Sequence, residues 1–128
     1  MTSALDSIRA YCLSLPGTTE NIQWEDVLLF RVGGKIFVMV NLEPAAGDRI
    51  CFKCDPERFA ELLERDGARP AAYVGRFKWI GLRDFNVLPA AELRELIYAS
   101  YELVKAKLPK KRARRRAQAA RWTGSVSD

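Results

Sequence analysis

The feature that most constrains the fold is the stretch Trp24–Leu42. Two apolar runs, Val27–Val32 and Lys35–Leu42, flank Gly33-Gly34. Two adjacent glycines both accept positive φ, as a tight I′ turn between twisted strands demands. The spacing therefore predicts a β-hairpin. Ile36-Phe37-Val38-Met39-Val40 is apolar at every position, so it predicts a central strand covered on both faces.

The flanking sequence supplies the rest of one domain. Ser3–Leu15 reads as a helix capped by Ser3, with Leu5, Ile8, Cys12 and Leu15 on one stripe, and Pro16-Gly17 stops it. Thr18–Gln23 is polar and reads as a loop. Arg49–Cys54 alternates: Ile50, Phe52 and Cys54 on one face, Arg49, Cys51 and Lys53 on the other. Asp55-Pro56-Glu57 opens a second helix to about Asp66, with Phe59, Leu62 and Leu63 inward. Arg69–Val74 reads as a connector, Phe77–Leu82 as a strand and Asp84–Leu88 as a turn or short extended piece. Pro89 opens a long helix to about Leu108, with Leu93, Leu96, Ile97, Ser100, Tyr101, Val104 and Leu108 on its buried stripe. The order α, hairpin, β, α, β, α implies an α+β domain over residues 1–108: a mostly antiparallel sheet with helices packed on one face.

Charge divides the chain in two. Residues 1–104 carry a net −3 and residues 105–128 a net +8. The 109–128 segment reads as a basic, flexible tail able to neutralise phosphates and release counterions. No apolar run reaches the roughly 20 residues of a membrane span. With no basic and apolar leader at the N-terminus, a cytoplasmic setting is expected.

Catalytic signals are few. The chain has no histidine, which excludes Ser-His-Asp and Cys-His arrangements. Cys51 and Cys54 have C-x-x-C spacing, but a strand sends them to opposite faces, away from a disulfide or shared metal. Gly33-Gly34 lacks the G-x-x-x-x-G-K pattern of a phosphate loop. The close carboxylates, Glu25-Asp26 and Glu61 with Glu64, read as solvated surface. Trp79 reads as core and Trp24 as the aromatic closing the hairpin. No enzyme, metal or cofactor is expected.

Several segments together resemble the MmcQ/YjbR family: Tyr11–Gly17, Val32–Phe37, Phe52–Glu57, Lys78-Trp79, Ser100–Val104 and Leu108-Pro109. The resemblance implies a frataxin-like (CyaY-like) α+β sandwich, likened to a double-wing DNA-binding module. The chain departs from the family pattern at Lys78, which stands where members often carry histidine before the tryptophan, and the arginine run after Pro109 lies outside the resemblance. On this basis the expected function is non-catalytic DNA binding of low sequence specificity. Lys35, Lys53, Arg76 and Lys78 would present from the body. Lys110, Lys111, Arg112, Arg114, Arg115 and Arg116 would present from the tail. DNA or another polyanion is the expected partner, no membrane is involved, and a monomer is favoured. The alternative is a protein-interaction or small-ligand module to which the tail is incidental.

Overall fold

A computed structural model describes residues 3–24, 26–43, 47–71 and 77–108. Six strands form one antiparallel sheet: β1 (Thr18–Gln23), β2 (Val27–Val32), β3 (Lys35–Asn41), β4 (Ile50–Lys53), β5 (Ala68–Pro70) and β6 (Trp79–Leu82). Their spatial order is β1-β2-β3-β4-β6-β5. Three helices accompany them, α1 (Ala4–Ser14), α2 (Pro56–Leu62) and α3 (Ala90–Ala106), with a 3-10 turn at Phe85–Val87. The α+β expectation holds, with two more strands than the sequence reading supplied.

Those two strands are corrections. Thr18–Gln23 is an edge strand, in register with β2 from Thr18↔Val32 to Gln23↔Val27. Its polar composition suits an edge, where side chains reach water on both faces. Ala68–Pro70, which overlaps the expected connector Arg69–Val74, is the opposite edge and pairs with β6. The second helix ends at Leu62, and Leu63 lies exposed rather than inward.

The hairpin is as expected. Gly33 and Gly34 take φ of +58° and +81°. β3 occupies the interior of the sheet, but its two faces differ. Phe30 pairs with Val38 while Arg31 pairs with Ile36, so Phe37 is an extra residue in a β-bulge. The bulge turns Phe37 and Val38 to the same side, and both are fully buried in the core. Ile36 and Met39 look to the other side and are only half-buried. The helices cover one face, and the expected two-sided cover of β3 is incomplete.

The core joins Leu28, Phe30 and Val32, Phe37, Val38 and Val40, Ile50 and Phe52, and Ile80 and Leu82 to Ile8 and Cys12 of α1 and Leu93, Ile97 and Tyr101 of α3. The Tyr101 ring meets Phe37 edge-on at 5.4 Å, and its hydroxyl donates to the Pro16 carbonyl at 2.6 Å. α1 and α3 run side by side in the same direction. Ala4 and Ile8 share a groove with Ala90 and Leu93, while Pro16 meets Tyr101 further along.

β3 and β4 part beyond the Val38↔Phe52 pair. The Ser100 hydroxyl fills the gap: it accepts from the Lys53 N–H (2.9 Å) and donates to the Phe37 carbonyl (2.7 Å). Ser100 is completely buried. A side chain on α3 thereby carries the β3–β4 ladder past its last backbone pair.

Candidate nucleic-acid interface

Lysines collect at the end of the molecule where α3 finishes. Leu108 lies against the glycine turn: a Cβ on Gly33 would stand 2.5 Å from Leu108 Cδ1. Lys35, the first residue of β3, projects into solvent beside that turn. Lys53 closes β4, tied through its own N–H to Ser100. Its ammonium donates to the Phe77 carbonyl at 3.4 Å. Burial, and secondarily the charge of Lys107, pull the Lys53 pKa below the ordinary lysine range. Two cations are thus held close enough to feel each other.

Lys78 follows Phe77 in the left-handed conformation, φ +67°. Its ammonium sits 5.2 Å from the centre of the Phe59 ring of α2. Lys105 lies similarly, 5.4 Å over the Tyr101 ring. In both, the ammonium lies over the ring face while the residue stays exposed to water. Asp55, which caps α2 through the Arg58 N–H, is the acid closest to this group along the chain.

Of the sequence-derived candidates, Lys35, Lys53 and Lys78 fall in this region. Arg76 and the tail residues Lys110, Lys111, Arg112, Arg114, Arg115 and Arg116 lie outside the described residues. Lys107 joins the group through its charge on Lys53; the sequence counts it in the basic 105–128 segment but does not single it out. Its signal was present, since cations favour the negative end of a helix dipole. Arg49, on the same strand face as Lys53 by alternation, sits at the opposite end of β4 with its guanidinium 4.9 Å over the Phe85 ring. Trp79 is buried as expected, on the sheet face opposite the main core, where it is Lys53's cross-strand partner.

The thiols offer no chemistry. Cys12, Cys51 and Cys54 are all free, and burial pushes each up to about 12. At pH 8 only about one thiol in ten thousand is then ionised. Ellman's reagent is expected to leave the folded protein unlabelled over minutes and to titrate all three cysteines in denaturant. Rapid labelling of Cys51 in native buffer would contradict this placement. No cluster of three or more His, Cys, Asp or Glu side chains suited to a metal exists among the described residues. Among the same residues, no helix is long and apolar enough to cross a membrane.

A second feature lies at the far end of α3. An open groove of about 890 Å³ runs between α1, the 3-10 turn and the start of α3. Ile8, Val87, Leu88 and Leu93 form its apolar floor, with Asp84 and Arg94 at the rim.

Comparison with known proteins agrees with this architecture. The chain is similar to a crystal structure of protein DR2400 from Deinococcus radiodurans, a DUF419-domain protein, at 27% identity over 84% of each chain with a TM-score of 0.69. It is also similar to a Pseudomonas syringae protein of known crystal structure, at 25% identity over 77% of this chain and 96% of that one, with a TM-score of 0.64. No curated protein matches it. The YjbR family model matches residues 13–103, a span from the end of α1 to the last turns of α3, and the chain belongs to the YjbR family.

Proposed function

We propose that this protein is a non-catalytic nucleic-acid-binding protein that contacts phosphates with low sequence specificity. The observation that carries the reading is the gathering of Lys53, Lys78, Lys35 and Lys107 where β4, the Phe77 turn, the glycine turn and the end of α3 meet, next to the basic 109–128 segment in sequence. Like charges held together raise the free energy of the unliganded surface, and a phosphate relieves it. The body's net −3 over residues 1–104 is thus offset locally, where the 109–128 segment, net +6, adds its own field. The family's likeness to a double-wing module points the same way, and a cytoplasmic setting accords with it.

Fluorescence anisotropy with a labelled duplex, comparing the full chain with one ending at Leu108 across a salt series, tests this. The full chain is expected to bind with a steep fall of log K against log salt. The shortened chain is expected to bind more weakly but measurably. Lys53→Gln should reduce the slope by about 0.9, the share of one phosphate contact. The Lys53 ammonium, followed by NMR, should titrate at higher pH once duplex is added, because a bound phosphate favours its charged form. No binding by either chain at low salt would refute the proposal. Binding by the full chain alone would confine the activity to residues 109–128.

The apolar groove supports the second reading, a small-ligand or protein-interaction module. It lies at the opposite end of α3 from the lysines, so occupancy there would leave duplex affinity unchanged.

A further inference from the structure

The two edges of the sheet are treated differently. β5 is three residues long and contains Pro70, which has no donor, beside the charged Arg69. Such an edge resists pairing with another chain. β1 is six residues long and has no proline, lysine or bulge. It carries two of the most exposed large apolar side chains among the described residues, Ile22 at 56% and, just beyond it, Trp24 at 70%. Trp24 is held at φ +53°, a conformation bulky residues rarely adopt.

The hydrogen-bond phase of this edge follows from β2. The Leu42 N–H donates to the Asp26 carbonyl, so Asp26, and by alternation Leu28 and Phe30, turn their backbone groups to β3. Val27, Leu29 and Arg31 turn theirs to β1, where they meet Gln23, Asn21 and Thr19. Glu20 and Ile22 are left with N–H and C=O directed away from the sheet.

We infer that β1 pairs antiparallel with β1 of a second copy of this chain, about a two-fold axis through Asn21. In that register, the Glu20 N–H and C=O meet the Ile22 C=O and N–H of the second copy, and the reverse. Opposed residues of an antiparallel pair share a face, so the helices of both copies stay on one side of a continuous sheet. Charge and shape both suit a self-pairing. Glu20 is the one ionised side chain on the strand, and Arg9 of α1 already holds it through two hydrogen bonds of 2.8 and 2.5 Å. The register opposes it with Ile22 rather than with a second Glu20. The incoming Ile22 lands beside the Arg9 stem and toward Leu13, one turn further along the same helix face and itself exposed. One strand therefore supplies both the apolar projection and the surface that receives it. An interface of one strand and two side chains is small, and the dimer is expected to form in the range of about 10–100 μM. This departs from the monomer favoured on sequence.

Sedimentation velocity of the full chain over about a hundredfold concentration range, at high salt to suppress tail-mediated contacts, tests the inference. The wild type should pass from monomer to dimer. Ile22→Lys should weaken association at least about tenfold. Ile22→Pro should do the same while sparing β1–β2, because the N–H it removes points outward. A wild type that stays monomeric at millimolar concentration overturns the inference, as does a dimer that persists in both folded variants. Hydrogen exchange of the wild type decides the matter even if a variant misfolds. The Glu20 and Ile22 amides should gain protection with concentration while those of β5 do not. Unchanged Glu20 and Ile22 exchange overturns the assignment.

Discussion

Ser100→Ala is expected to lower the unfolding free energy by about 3 kcal/mol, a drop of roughly 15 °C in the midpoint for a domain of this size. The loss has nothing to do with volume, since only one oxygen goes. It arises because that oxygen serves two backbone groups that nothing else reaches. The β3–β4 pairing ends at Val38↔Phe52, and beyond it the Phe37 carbonyl and Lys53 N–H meet the Ser100 hydroxyl instead of each other. Ser100 accepts from one and donates to the other at a site with no solvent access. Alanine leaves both unsatisfied, at about 1–3 kcal/mol each. Ser100→Thr keeps the hydroxyl but adds a methyl group to a filled site, and should fall between the two. Thermal unfolding followed by circular dichroism measures all three. A shift of only a couple of degrees for alanine would mean that water enters the gap, and the bond's structural importance would be withdrawn.

Gly81→Ala is expected to cost about 2 kcal/mol through a side chain that approaches from another strand end. The Asp48 carboxylate lies directly over Gly81, in the space a Cβ needs. Its side chain is only 7% exposed, and the Arg69 guanidinium donates to it at 2.7 Å. A methyl group at Gly81 displaces the carboxylate and breaks that pair, stranding a partly desolvated charge. A double-mutant cycle in urea separates this from any intrinsic preference for glycine in β6. In an Asp48→Ala background the same Gly81→Ala change should be nearly free. Equal costs in both backgrounds would show that the carboxylate does not govern the position.

Periodicity made the buried elements legible. The hairpin, the alternation of Ile50, Phe52 and Cys54, the Asp55 cap and the α3 stripe each leave a repeating apolar signal, and each stands where that signal put it. The two edge strands left none. Thr18–Gln23 has one apolar residue and Ala68–Pro70 contains a proline, because edges bury little and pair on one side only. The bulge was equally silent: Phe37 and Val38 are both apolar, and an unbroken apolar run hides a change of face. At the lysine-rich end, Lys35, Lys53 and Lys78 were identified as separate basic residues. Their convergence with Lys107 depends on where α3 ends relative to β4, a distance of some fifty residues in sequence that only the fold closes.

The order of the strands has a consequence for how the chain acquires its shape. β1, β2, β3 and β4 are neighbours in space as well as in sequence. Each pairing closes a short loop, so the meander can assemble quickly and with little entropic cost. α3 joins last along the chain, and its Ser100 bonds to Phe37 and Lys53 bridge 63 and 47 residues. During synthesis all four strands of the meander precede α3, so Phe30, Val38, Val40 and Phe52 are made before the helix that completes their cover. Slowing translation between β6 and α3 lengthens that exposed interval, and chaperone demand at this stage of synthesis rises with it.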